Sequence, residues 1–243
     1  MKLLGIVMLA ILCAVPAMGQ DMMRGVDLNS PMMTMAEMSR ADVEAALASG
    51  RRDLAGKRLS GLDLSGLDLS GANLRGAYLN RAVLKGAKLD RAVLDQAWAL
   101  GADFDGASLE KADLTGARIT ADLTNADLTG ATLRDADLSA DMKNQSMGLM
   151  RAVLRSAKLD GADFSGANLS RVVLEFASLK GAILERADLS RTELGGANLT
   201  GARIAGADFE EADLASAMLK ALVGKNEALN LDKARNLKRA FTD

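Results

Sequence analysis

The chain has 243 residues, with 30 Lys and Arg against 32 Asp and Glu, a formal net charge of −2, 49% hydrophobic residues and no His. That composition suits one soluble unit, and a near-neutral balance with no strongly basic stretch argues against nucleic-acid binding by charge. Without His, and with a single Cys, general acid–base, nucleophilic and zinc schemes lose their usual members, so no enzyme, metal centre or cofactor is expected.

Residues 1–19 read as a secretory signal: Lys2, an apolar run from Leu3 to Val15, the helix breaker Pro16, and Ala17-Met18-Gly19 as small-residue cleavage context before Gln20. The run is too short to span a bilayer. Cleavage predicts a mature start near Gln20, a periplasmic or secreted location and no stable membrane span; the alternative is a retained membrane anchor or a buried helix. Cys13 leaves with the signal, and Leu12 before it argues against a lipoprotein. Residues 20–35 form a Met-rich leader broken at Asn29-Ser30-Pro31. The thioethers of Met32, Met33, Met35 and Met38 suit Cu(I). Their irregular spacing and the lack of His favour plain apolar packing on the end of the domain. Across residues 36–50, Ser39-Arg40-Ala41-Asp42 resembles a capping box and Val43, Ala46 and Leu47 share one face, which predicts a capping helix from about Ala36 to Ala48, ended by Gly50.

From residue 51 to 220 the period is five. Apolar centres recur from Leu54 to Ile119, from Leu123 to Leu138 one residue early, and from Leu154 to Leu219 in the first phase again: 32 centres, 26 of them Leu, usually with Ala two residues earlier. On a helix, successive centres would scatter by roughly 140°. On a flat strand they would alternate between faces. The pattern closes only if every unit turns a corner, with Ala and the centre pointing inward, the residue between them outward, and a polar residue and Gly in the corner. Where Arg81, Arg91, Lys111 or Arg151 replaces that Gly, a different turn type is expected. Coils then stack about 4.8 Å apart.

Units such as Ala72-Asn73-Leu74-Arg75-Gly76 and Ala167-Asn168-Leu169 resemble the pentapeptide-repeat family over roughly residues 51–220. The resemblance implies an all-β solenoid, a right-handed quadrilateral β-helix with four units per coil. That makes about eight coils here, with a short N-terminal helical cap and a C-terminal cap at 221–243. Family members that protect DNA gyrase act as negatively charged DNA mimics with projecting loops, so a DNA mimic binding gyrase is one alternative function. Loss of Lys2 takes the net charge only from −2 to −3, Arg and Lys are scattered among the Asp, and an exported chain would not meet gyrase. The favoured expectation is therefore a non-enzymatic, exported scaffold, a protein-binding or structural module of the bacterial envelope.

Two irregularities interrupt the repeat, a one-residue slip near 120–123 and a break at 139–150, read as a surface loop around Lys143-Asn144-Gln145-Ser146. With four units per coil, residues twenty apart stack, which places Arg58, Tyr78, Trp98 and Arg118 in one outward column. Tyr78 and Trp98 are the only Tyr and Trp, Leu100 adds an apolar residue beside Trp98, and Arg81 flanks the face. The column is a candidate surface for binding a partner, a sugar ring or an anion. Its alternative is a self-contained cation–π ladder, with Trp98 partly filling space left by Ala99. The recurring Asp residues, among them Asp63, Asp68, Asp103 and Asp113, read as solvated residues of the repeat rather than a carboxylate site. After Leu219 the chain becomes charged, and a C-terminal helix or short turns seal the last coil; relatives also dimerise through this end, so a tail-to-tail homodimer is the other expectation.

Overall fold

A computed structural model describes residue 27 and residues 29–140 and 150–243. The signal-peptide reading of residues 1–19 and the loop reading of Lys143 to Ser146 lie outside them.

Within the repeat, the residue before each centre forms a parallel bridge with its counterpart one coil on, as in Asp53↔Asn73, Arg58↔Tyr78, Asp63↔Val83 and Asp68↔Lys88. The spacing of twenty residues over units of five gives four faces. Each face carries nine stacked rungs, ending at Val223, Leu229, Arg235 and Phe241. Eight intervals at about 4.8 Å make a rod of about 38 Å. The strands are so short that most rungs are single bridges; among the described residues only Met218–Leu219 (β1) and Phe241–Thr242 (β2) form a two-residue pair.

Local sequence sets the shape. Ala and Leu point inward and are almost wholly buried, from Leu54 to Leu219, in one continuous core. Each centre donates its amide upward, as from Leu69 to the Lys88 carbonyl at 2.7 Å, and each outward residue donates downward, as from Lys88 to the Leu67 carbonyl at 2.9 Å. Corners bend through a left-handed residue. Arg81, Arg91 and Lys111 take φ of 57°, 56° and 57°, in the range of the neighbouring glycines, so the different turn expected there does not occur. The ladder explains why: the Arg91 amide meets the Glu110 carbonyl at 2.8 Å just as the Gly71 amide meets that of Asp90 at 2.8 Å. A neighbouring coil on each side over-determines the corner, which outweighs the local cost of a Cβ in this region.

The recurring Asp and Asn do more than face water. Asp63 Oδ1 accepts from the Ser65 amide at 2.9 Å, Asp113 Oδ1 from the Thr115 amide at 3.0 Å, and Asn198 Oδ1 from the Thr200 amide at 3.0 Å. They are turn-forming acceptors that satisfy a corner N–H.

The slip shortens the bridge spacing to nineteen in four successive pairs, from Asp103↔Asp122 to Arg118↔Asp137, and the interruption lengthens the next four to thirty-one, from Asp122↔Val153 to Asp137↔Asn168. Both changes sit at one corner, so neither displaces a rung. The Ala152 amide donates to the Leu138 carbonyl at 3.2 Å, which closes the base of the interruption.

The two ends differ. At the N-terminus Pro31–Thr34 forms a short helix (α1) with Pro at its start, where a missing N–H costs nothing. Arg40–Ala48 forms α2, starting later than expected because Ser39 is the N-cap and Asp42 completes the capping box. Residues 36–38 are non-helical instead, with a bend at 37–38, and the Glu37 amide donates to the Arg58 carbonyl at 2.9 Å. Val43 of α2 is fully buried over the first coil. Arg40 donates to the carbonyls of Asp63 and Ser65 at 3.0 and 3.1 Å, and Arg52 to that of Ser70 at 2.7 Å. Three faces of the first edge are thereby covered.

At the C-terminus the unit grows to six residues. Bridge spacing climbs from twenty at Arg203↔Val223 to twenty-one, twenty-two and then twenty-three at Met218↔Phe241, and 3₁₀ turns at Lys225–Glu227, Leu231–Lys233 and Leu237–Arg239 fill the wider corners. The tail is thus a ninth coil rather than a lid. Among the described residues nothing pairs with its outer edge, and Val223, Leu229 and Phe241 are exposed on it.

Candidate functional site

The second face carries the candidate column, and the bridges Arg58↔Tyr78, Tyr78↔Trp98 and Trp98↔Arg118 bring its four residues onto consecutive rungs. Side chains on neighbouring rungs must touch if they are large. The Tyr78 and Trp98 rings stack with centroids 6.5 Å apart and planes at 23°. The Arg118 guanidinium carbon lies 4.3 Å from the centre of the Trp98 ring. Offset stacking and a cation over an indole are both favourable, the latter more so once water is excluded. Arg58, at the other end, has its Nε 3.3 Å from Glu37 Oε2, in a half-exposed ion pair.

Arg118 differs from the other arginines of the rod. It is only 6% exposed, and its Nη1 has no hydrogen-bond partner. Burial lowers its affinity for the proton, an effect that the charge of Asp137 on the next rung opposes. Arginine starts so high that it remains charged. Two residues on, the Thr120 hydroxyl is also buried and unpartnered.

The adjoining corner is built by residues that no motif singled out. Asn80, 6% exposed, donates from Nδ2 to the Met33 carbonyl at 3.0 Å and accepts the Leu100 amide at Oδ1 at 2.9 Å. The twenty-residue spacing that aligned the aromatic column also aligns Ser60, Asn80, Leu100 and Thr120, and that was the available signal. Leu100, expected as apolar surface beside Trp98, is instead 8% exposed, and Asn80 holds its amide. Nor does Trp98 fill the space left by Ala99. Its ring is committed outward to Tyr78, and a void of about 10 Å³ remains inside, lined by Ala99, Phe104, Ile119 and neighbouring apolar residues. It is too small and too apolar to hold a ligand.

Of the methionines, Met33 is buried and Met38 packs against the core, while Met32 and Met35 are exposed. No group of three or more His, Cys, Asp or Glu suited to a metal ion occurs among the described residues. No helix among them is long and apolar enough to cross a membrane.

The model of pentapeptide repeats matches the chain in eight copies over residues 58–96, 87–120, 121–140, 149–186 and 182–220. The chain belongs to the pentapeptide repeat family. As a pentapeptide repeat protein it shares the family's right-handed quadrilateral β-helix, which accounts for four faces at a spacing of twenty. Among solved structures it is similar to HetL of the cyanobacterium Nostoc sp. strain PCC 7120, a pentapeptide repeat protein involved in heterocyst differentiation regulation. The identity is 30%, over 84% of this chain and 94% of that one, with a TM-score of 0.56. The trypsin-treated plasmid-mediated fluoroquinolone resistance protein QnrB1 is 16% identical over 76% of this chain and 91% of its own, with a TM-score of 0.43. Rfr23 of the cyanobacterium Cyanothece 51142 is 27% identical over 50% of this chain and 87% of its own, with a TM-score of 0.28. No curated protein matches the pentapeptide repeat chain.

Proposed function

We propose that this pentapeptide repeat protein is an exported, non-enzymatic scaffold of the bacterial envelope that holds a protein partner against the face of Tyr78, Trp98 and Arg118. One observation carries the reading: on this face the repeat's small polar outward residue gives way to a stacked Tyr–Trp pair under an arginine. Aromatic residues and arginine are the side chains that anchor protein interfaces. The signal-like pattern of residues 1–19 supports export. The open ninth coil, with Val223, Leu229 and Phe241 on its rim, supports end-to-end pairing of two copies. A DNA mimic would need a face of one charge. Here Arg134 pairs with Asp163, Lys158 with Asp127 and Arg203 with Glu185, so the signs interleave along the rod.

Three measurements test the reading. Fractionation with intact mass locates the N-terminus, and an uncleaved cytoplasmic chain removes the export. Capture from an envelope extract is compared between the protein and Trp98→Ala. Loss of one bound protein at unchanged melting temperature supports the face, whereas a lowered melting temperature with capture intact makes the column a purely internal brace. Light scattering reads the pairing.

A further inference from the structure

Resting on that reading of the second face, we propose that α1 is a detachable strap: it fills, from within the chain, a docking site beside Tyr78 and Trp98 that a segment of the protein partner occupies when the strap lifts. The hold on α1 is slight. Its four residues are fewer than a helix needs to stand alone, and its N-cap, Ser30, makes no side-chain bond to it. Met33 is buried, while Met32 and Met35 are exposed. Among the described residues one side chain, Asn80, makes every hydrogen bond that ties residues 29–36 to the repeat: its Nδ2 donates to the Met33 carbonyl at 3.0 Å and lies 3.9 Å from the Met33 sulfur. By contrast α2 has a capping box, and its Arg40 donates to two carbonyls of the first coil. The chain is fastened again at Glu37, whose amide meets the Arg58 carbonyl and whose carboxylate lies 3.1 Å from Lys57 and 3.3 Å from Arg58. The strap therefore pivots at Met35 and Ala36. One buried side chain and the bonds of one amide offset little more than the entropy of ordering residues 31–35, so the lifted form stays within reach of the closed one.

What the strap covers is built by the rod. Asn80 Oδ1 accepts the Leu100 amide at 2.9 Å, which fixes this side chain from the repeat and leaves Nδ2 directed at whatever lies on the corner. Asn80 follows Tyr78 by two residues and Leu100 follows Trp98 by two, so the donor stands at the corner that ends the strands bearing the stacked rings. With α1 lifted, the corner offers one oriented donor beside the surface against which Met33 was buried. A donor left without a partner next to newly uncovered apolar surface favours re-occupation. The occupant that fits is a protein segment presenting what Met33 presents, a main-chain carbonyl and a long apolar side chain on the same residue. A partner that covers Tyr78 and Trp98 and extends to this corner competes with α1, and its apparent affinity is lowered by the fraction of chains that are closed.

Met33→Asp tests the strap in the full chain, because a carboxylate is expelled from that surface, and Met33→Leu is the conservative control. In amide exchange read by mass spectrometry, residues 33–35 of the unaltered protein should exchange about tenfold faster than α2, and in Met33→Asp they should lose protection while α2, the first coil and the melting temperature stay as they were. Protection of α1 equal to that of α2, or a lowered melting temperature in Met33→Asp, overturns the proposal and makes α1 a fixed cap. The peptide acetyl-Asn-Ser-Pro-Met-Met-Thr-Met-Ala-amide, the sequence of residues 29–36, is then titrated by calorimetry. The expected result is saturable binding to Met33→Asp, about tenfold weaker binding to Met33→Leu and to the unaltered chain, and no binding of the peptide carrying Met33→Asp. Equal binding to the open and closed proteins overturns the proposal, as does no saturable response at about 10 mM, tenfold above a Kd of about 1 mM. In capture from an envelope extract, Met33→Asp should raise the yield of the protein that Trp98→Ala loses. An unchanged yield removes the strap while the scaffold reading stands, whereas capture that Trp98→Ala leaves intact removes the scaffold reading and with it the partner's use of this corner.

Discussion

Leu179→Ala is a direct test of how the rod is held together. Leu179 is fully buried in the fourth interior column, between Leu159 below and Leu199 above, both likewise buried. Truncation removes three carbons from a site whose walls cannot close. The Leu159 amide is tied to the Ser178 carbonyl at 2.7 Å and the Leu179 amide to the Asn198 carbonyl at 2.8 Å, which keeps adjacent rungs at strand spacing. A buried Leu-to-Ala change costs about 2.7–5 kcal/mol, the larger values belonging to sites that fail to collapse. Pinned on both sides, Leu179 belongs in the upper half, at about 4–5 kcal/mol. The protein supplies its own precedent at Ala99, where a void of about 10 Å³ persists even with Phe104 on the same coil. Equilibrium urea unfolding followed by circular dichroism reads the change. A loss below about 2 kcal/mol with an unchanged slope would show that neighbouring rungs do settle into the space, and would refute the claim that the ladder fixes their separation.

Other perturbations address the corners, the edge and the acid response. Gly71→Ala should cost only about 1 kcal/mol, since φ is +65° and no atom lies within 4 Å of the added carbon, whereas Gly224→Ala, whose Cβ would sit 2.8 Å from the Ala205 nitrogen, should cost about 2–4 kcal/mol; equal losses in thermal unfolding would contradict this. Replacing both Arg40 and Arg52 by Ala uncovers the first edge, and amide exchange should quicken in the first two coils while the middle of the rod stays protected. Asp63 and Asp68 are held below the usual carboxylate range by the hydroxyls and then the amides of Ser65 and Ser70. A depressed folded-state value contributes stability that is present above the unfolded value near 3.9 and lost as pH falls through the folded one. The urea midpoint should therefore hold steady above about pH 5 and drop below about pH 4; a midpoint indifferent to acid would remove the role given to the Asx turns.

Much of this architecture is legible in the residues because the fold repeats a local rule. The period of five demanded a corner in every unit, and the twenty-residue column placed Tyr78, Trp98 and Arg118 together. What escaped is whatever depends on neighbours rather than on period. Arg91 and Lys111 adopt a glycine conformation because coils above and below enforce it, and no property of Arg or Lys announces that. The burial of Asn80 goes with a corner that receives Met33, an element outside the repeat, and Asn80 in turn holds the amide of the buried Leu100. The ninth coil was hidden because its period changes to six, at Ala228-Leu229-Asn230, Ala234-Arg235-Asn236 and Ala240-Phe241-Thr242, while its Leu residues move to the wider corners.

The passage from a spacing of twenty to nineteen, then thirty-one, and back to twenty leaves every rung facing its neighbour. The molecule therefore keeps its length in rungs rather than residues. Editing at a corner alters the perimeter of one coil, and duplicating any twenty consecutive regular residues adds a storey of about 4.8 Å without creating a new kind of contact. A single residue added between an Ala and its Leu has no such freedom, because it turns one inward side chain to the solvent on that rung. Tolerance to insertion in this chain is thus graded by position within the unit of five, a ruler that can be lengthened between its marks but not across them.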